Sequence, residues 1–511
     1  MAEAIAQDHR EVAPSLRDRA MHGMVWSLAA YFGSQVVRLG SSMVMTRLLF
    51  PEAFGVYTLV MTYMTGIVMF SDMGLWSYLF QSKNAHDRDL ADSIWTVGVV
   101  RGGIVWICGM GLAWPMAGFY ERPEMRWMLI AASLALLVSP LCATKLILAT
   151  RDLKRKELAI FTLSNQAVCV VIQLGLAWWF RSIWALVIGG LVGEVLRAAS
   201  SQWLFPGPRN RWRWDSVVVR ELRGFSTWIY ISSIMGFFGG QADRLIMGKL
   251  VPMEFLGIYG IAMNFATLPL ALIQQGSGMI APIVVQLRHG ADPAIGRKLQ
   301  EARGLLLQVG AVLLAGTCVA APAFYGLLYD SRYATAGTIA AVISVSIWFS
   351  MMENSVNGVV LAFGDAKGIA ICSTGRMLGT LAGALGGYWI AGIYGFIVGL
   401  SMGSLVVYVL SIILIRKHGI HLGWGDARYC AVLAVLAGLG WGTIGLLRWG
   451  SPTIPMTRAS LLASALVAVV GAAYQWGNIR KFGAMGLAKV SNRRPFSLET
   501  WRLVTCALRG H

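Results

Sequence analysis

Apolar runs of about twenty residues, parted by short polar breaks, fill nearly the whole chain. A helix that crosses a bilayer needs about 20 such residues. The pattern predicts about fourteen spans, at 23–48, 54–80, 93–118, 127–149, 158–180, 183–205, 226–250, 255–284, 303–328, 337–362, 368–390, 393–415, 429–448 and 458–478. Several neighbours are separated only by a turn. Phe50-Pro51-Glu52 makes the first break, because proline cannot continue one helix yet suits the first turn of the next. The expected fold is an all-α polytopic membrane protein.

The chain writes one phrase twice. Residues 47–60 read RLLFPEAFGVYTLV, and residues 249–262 read KLVPMEFLGIYGIA. At an offset of 202, Leu48, Glu52, Gly55 and Tyr57 recur as Leu250, Glu254, Gly257 and Tyr259. LATRDLK at 148–154 echoes LAFGDAK at 361–367, and Ile183, Gly189 and Gly193 recur as Ile393, Gly399 and Gly403. Each match pairs a span with the one six further on. Because six is even, the two halves cross in the same sense, as a parallel repeat about an axis along the membrane normal, with a site expected between them. The expected organisation is a cytoplasmic lead (1–21), a six-helix bundle (22–206), an interfacial linker (207–225), a second six-helix bundle (226–416), two further helices (417–478) and a basic cytoplasmic tail (479–511).

Composition agrees with this class. Of 511 residues, 56% are hydrophobic and 13% charged, far below the roughly 25% of soluble proteins. The net charge of +18 suggests nucleic acid until the basic residues are placed by side. With the N-terminus inside, cytoplasmic segments hold about 29 Lys and Arg and external loops about 8. That bias explains the charge without nucleic acid and puts both termini in the cytoplasm. The first 21 residues mix acids and bases with no apolar core, so they read as a lead and not a signal peptide. Asp215–Leu222 and Ser497–Leu508 read as interfacial helices or basic anchors.

Catalytic chemistry finds little support. Seven scattered cysteines form no CxxC pair, and seven histidines form no HExxH or other ligand spacing. No metal, cofactor or catalytic residue is expected. Without GxxxxGK[ST], ATP hydrolysis is not expected either. Asp87-Arg88-Asp89 has the DxD form of nucleotide-sugar transferases but sits in a small loop with no domain around it.

RLLFPEAFGVY, SDMGL at 71–75, and DRLIMGK at 243–249 followed by EFLGIYGIAMNFATLP together resemble the polysaccharide-transporter family, over roughly residues 20–415. These are bacterial flippases of lipid-linked oligosaccharide repeat units, in a superfamily with multidrug and toxin extruders and lipid II flippases. The resemblance implies a bacterial inner-membrane protein that moves a polyprenyl-pyrophosphate-linked glycan to the outer leaflet by alternating access, for exopolysaccharide, O-antigen or capsule. It implies membrane lipids around the protein, polysaccharide polymerase and chain-length machinery as neighbours, and a cavity lined by spans 1, 2, 7 and 8. Two alternatives stay open: an ion-coupled multidrug antiporter of the same superfamily, and a membrane glycan polymerase, which would be expected to carry a sizeable external loop.

Moving a sugar pyrophosphate through hydrocarbon needs a wet, cationic path, and ionisable residues inside spans mark function by default. The spans hold Arg38, Arg101, Lys145, Glu194, Arg197, Asp243, Arg244, Glu353 and Arg376. Arginine suits planar phosphate contacts. Arg38, Arg244 and Arg101 are therefore candidate substrate contacts, with Asn264, Gln274 and Gln275 offering hydrogen bonds to sugar hydroxyls or between helices. Asp243, Glu353 and Arg376 are candidates for ion coupling or for structural pairs. Glu194 with Arg197 reads as a local salt bridge, and Lys145 as a snorkelling cation. Asp243 and Arg244 are adjacent, so only one of them is expected to face the cavity.

Overall fold

The computed structural model describes residues 16–490 apart from 73, 83, 85, 153, 278–294, 363–365, 418–424 and 452–453. The described elements are all helical, without strands. In the first half they are α1 (Leu16–Leu48), α2 (Pro51–Phe70), α3 (Leu75–Gln81), α4 (Arg88–Phe119), α5 (Met125–Val138), α6 (Lys145–Arg151), α7 (Arg155–Phe180) and α8 (Trp184–Trp203). In the second they are α9 (Ser216–Leu250), α10 (Met253–Ala266), α11 (Leu268–Ser277), α12 (Ile295–Leu328), α13 (Ala336–Ala362), α14 (Ala366–Gly399), α15 (Ser401–Lys417), α16 (Asp426–Gly450) and α17 (Met456–Val490).

Among the described residues, nine helices are long and apolar enough to cross a membrane, and eleven if two bent pairs each count once. The remaining expected spans fall on α1, α9 and α15, which are helical but fail that test. α15 is too short by one residue. α1 and α9 are the least apolar of the long described helices: charged residues lie near both starts, and both add polar side chains to the cavity described below.

Local chemistry explains the breaks. Pro51 opens α2 as drawn from the sequence. The 54–80 run breaks at SDMG: Asp72 Oδ1 accepts from the Gly74 amide at 2.9 Å, and Gly74 turns the chain at φ 66°, a left-handed value that favours glycine. The runs at 127–149 and 255–284 bend by 62° and 45°. α14 kinks at Ala391 and Gly392, which divides 368–390 from 393–415. Asp215–Leu222, expected at the interface, lies at the start of α9, with Val218 packed against Leu75, Leu79, Ile94 and Val97. The Ser497–Leu508 expectation lies outside the described residues.

The repeated phrase turns out to be one contact made twice. A Cβ added to Gly55 would collide with the Met253 carbonyl, and one added to Gly257 would collide with the Pro51 carbonyl. Gly55 matches Gly257 and Pro51 matches Met253 by the same offset of 202. α2 and α10 thus meet backbone to backbone, reciprocally, where each half turns. Around this seam Tyr120 donates to Leu245 O (3.2 Å) and Lys249 Nζ to Phe119 O (3.1 Å) and Glu121 (2.6 Å). Tyr333 donates to Leu49 O at 3.1 Å, and Arg332 to Thr46 O at 3.3 Å. We call this the sealed end. The opposite, basic end carries Arg88, Arg151, Lys154, Arg155, Lys156 and the linker into α9.

Candidate functional site

A cavity of about 370 Å³ lies between the halves, in the size range of small-molecule sites. α2 lines it with Phe54, Tyr57, Thr58, Met61, Thr62 and Thr65, one stripe at spacings of three and four. α1 adds Arg38, Ser41, Ser42 and Met45 at the same spacing. α10 adds Gly257, Gly260, Ile261 and Asn264, and α9 adds Gln241 and Arg244. Gln173 of α7 and Leu186 of α8 complete the wall.

The charge is one-sided. Arg38 and Arg244 line the cavity and, among the described residues, no carboxylate does. Arg38 Nη2 donates to the Asn264 carbonyl at 3.3 Å, and its buried Nε has no partner among the described residues. Arg244 donates to the Gln241 side-chain oxygen. Neither makes an ion pair among the described residues. Asp243 is turned the other way: it is buried and accepts from the Tyr259 hydroxyl at 2.8 Å. Adjacent residues on a helix point about 100° apart, which separates their environments.

The threonines are set up as acceptors. Thr58, Thr62 and Thr65 each donate to the carbonyl four residues back, at 2.8 Å. Their oxygen lone pairs remain for donors in the cavity. The wall therefore offers two guanidinium forks, amides, and a row of hydroxyl acceptors. That set suits a ligand with an anionic group beside several hydroxyls.

The other singled-out residues sit elsewhere. Arg101 on α4 donates to Ser71 Oγ (2.8 Å) and Val68 O (3.3 Å), so its charge meets the negative C-terminal end of α2. Glu353 is fully buried and ion-paired with Arg376, joining α13 to α14; the Arg376 stem packs on Gly239 of α9. Gln274 on α11 is exposed and does not line the cavity. The Gln275 side chain lies outside those described. Glu194 and Arg197 pair at 2.6 Å. Lys145 is buried and donates to Gln202 O and Gly207 O, both at 3.1 Å, which fastens the linker after α8. His, Cys, Asp and Glu side chains form no group able to hold a metal among the described residues.

Sequence reasoning did not pick out Gln173, Gln241 or the threonine stripe. The stripe has a readable signal, hydroxyls at Thr58, Thr62 and Thr65 inside an otherwise apolar helix. Gln173 is a single amide in an apolar run, and its place in the wall depends on how α7 packs.

The fold is an all-helical one that solved membrane transporters share. It superposes on the lipid II flippase MurJ in an inward closed conformation with a TM-score of 0.70, at 12% identity, covering 89% of this chain and 99% of that one. An inward-facing multidrug resistance MATE family transporter matches with a TM-score of 0.57 at 12% identity, over 78% of this chain and 95% of that one. At the sequence level, the model of the family described as "Polysaccharide biosynthesis protein" matches residues 44–336, and the chain belongs to that family. Teichuronic acid biosynthesis protein TuaB of Bacillus subtilis is 22% identical over 367 residues, 69% of this chain and 73% of TuaB. Succinoglycan biosynthesis transport protein ExoT of Rhizobium meliloti is 23% identical over 330 residues, 63% of this chain and 65% of ExoT.

Proposed function

We propose that this protein is a flippase that carries a polyprenyl-pyrophosphate-linked oligosaccharide from the inner to the outer leaflet of a bacterial inner membrane by alternating access. The observation that carries the reading is the pair of cavity arginines without a counter-charge among the described residues. A pyrophosphate supplies the missing charge, and glycan hydroxyls donate to the threonine oxygens. A cationic drug would be repelled by the same wall, which weighs against an antiporter of toxins. The excess of basic residues at the end opposite the seam supports placing the seam outside, so this state is closed to the exterior.

Arg38→Ala and Arg244→Ala test the reading. A hydrogen bond to a charged group contributes about 1.5–3 kcal/mol, so each change should weaken headgroup binding roughly tenfold to a hundredfold. Surface glycan should fall, and the lipid-linked unit should accumulate on the inner leaflet, at unchanged protein level. Arg38→Lys keeps the charge without the fork and should fall between wild type and Arg38→Ala. Normal surface glycan in the Arg38→Ala/Arg244→Ala double variant would sink the proposal.

A further inference from the structure

The stretch 204–215, LFPGPRNRWRWD, connects α8 to α9 without helical structure over 208–215. It is nevertheless fixed in place. Asp92 is buried and accepts from Asn210 Nδ2 and from the Arg211 amide, each at 3.1 Å. The Arg213 amide donates to Thr96 Oγ at 2.9 Å, and Asn210 bridges to Thr144 at 2.8 Å. These bonds use Asn210 and the backbone, so the intervening arginine and tryptophan side chains are held outward.

What they present is unusual for a surface. Trp203, Trp212 and Trp214 are 66%, 64% and 56% exposed, beside Leu204 at 81%. Arg209 stacks over Trp203 at 5.9 Å, and Arg213 is occupied by Asp89 at 2.6 Å. Arg209 and Arg211 make no ion pair among the described residues. Indole rings settle at the headgroup level of a bilayer, and guanidinium forks match phosphate oxygens. The strap lies where α8 and α4 reach the basic end, which is where headgroups must be.

We propose that this strap is a binding site for the headgroup of an anionic phospholipid, distinct from the cavity. Arg209 and Arg211 take the phosphate, while Trp203, Leu204, Trp212 and Trp214 cover the glycerol and upper acyl region. The backbone anchoring matters because the strap need not be ordered when the headgroup binds, which spares the loop-ordering part of the entropy cost.

Native mass spectrometry of the full-length, delipidated protein tests this by titrating phosphatidylglycerol against phosphatidylcholine of the same acyl chains. Each basic residue near an anionic surface contributes about fivefold in affinity, so two should give wild type a preference of about 30-fold for phosphatidylglycerol. Arg209→Gln/Arg211→Gln should bring the two lipids close to parity. Lys154→Gln/Lys156→Gln, which removes equal charge at the α6–α7 junction, should keep the preference. Equal affinity of wild type for the two lipids, or an undiminished preference in Arg209→Gln/Arg211→Gln, would overturn the proposal. Should that variant misfold, wild type alone decides: the preference must shrink as ammonium acetate is raised, and a salt-independent preference refutes recognition by charge.

Discussion

On the proposed alternating-access reading, the reciprocal glycine seam makes the sharpest test of how this protein closes. In Gly55→Ala the new methyl would sit 2.8 Å from the Met253 carbonyl carbon, and closer still to its oxygen. Ordinary contact begins near 3.4 Å, so α2 and α10 must part by at least about 0.6 Å there. The obstacle is backbone, so no rotamer relieves it. Overpacking of this kind costs about 1–3 kcal/mol. The helix-propensity gain of Ala over Gly acts in every state that keeps the helix and cancels from the sealed-to-open equilibrium. The equilibrium should therefore move toward opening by about 5- to 150-fold. Gly257→Ala meets the Pro51 carbonyl in the same way and should behave alike. Combining the two should fall short of additivity, because one separation relieves both clashes. Gly248→Ala is the control: its methyl meets the Leu59 and Tyr120 side chains, so it should open the seam less. The assay places one cysteine at Thr58, on the cavity wall, in a cysteine-free background, and measures its reaction with an impermeant maleimide added from the sealed side. Unchanged labelling in Gly55→Ala and Gly257→Ala, with folded protein, would refute the seam as the closure.

Acid should loosen the same end. The Lys249 ammonium bonded to Glu121, and Arg332 bonded to Asp330, hold both carboxyls below their usual range. Arg47 adds to the pull on Asp330. A lowered folded-state pKa contributes stability that is full above the ordinary carboxyl value of about 4 and is lost as pH falls through the lowered value. The distance between two spin labels placed across the seam, a readout that does not depend on thiolate reactivity, should lengthen below about pH 4, less so at high salt, and Glu121→Gln should flatten the response; a pH-independent distance in wild type would rule this out. Behind the cavity, Asp426 accepts from the fully buried Arg303 at 2.8 Å and also from Tyr408. Asp426→Ala strands that guanidinium and should cost about 3–5 kcal/mol, read as a lower unfolding temperature in detergent, while Arg303→Met/Asp426→Leu should recover most of it.

How much of this the sequence reveals depends on the range of the interaction. Pro51 stops and starts helices through its own ring, so the break after α1 is readable from three letters. The repeat is readable because a seam made by two backbones leaves the same small residue on both sides. Arg38, Arg244 and Asn264 can be singled out because polar groups inside spans are rare, and the structure brings all three to one wall. Which of Asp243 and Arg244 faces the cavity depends on the rotational phase of α9, set by packing on α14 and α2, and that is not local. The cap that Arg101 gives α2 has the same character. Arg303 reads as one of a cluster of cytoplasmic cations. Its counter-charge lies 123 positions away, so its burial has no local signature. Gly74 could have been read from the Asp-x-Gly pattern, which marks a turn.

The duplication separates two demands that a single bundle would have to reconcile. Closing a seam requires both halves to present the same thing, and Gly55 with Gly257 does so. Binding an asymmetric headgroup requires them to differ. The offset of 202 pairs Ser42 with Arg244, Thr58 with Gly260 and Thr62 with Asn264, and all six line the cavity. Equivalent positions thus reach one space from both halves, each with different chemistry. Arg38 corresponds to Gly240, so neither arginine has a basic counterpart in the other half. A symmetric quartet of cations would hold a dianion from both sides and resist its release when the halves part. One arginine from each half, at non-equivalent positions, leaves each half with a weaker hold of its own, so on the proposed alternating-access reading separating them loosens the ligand as well as exposing it.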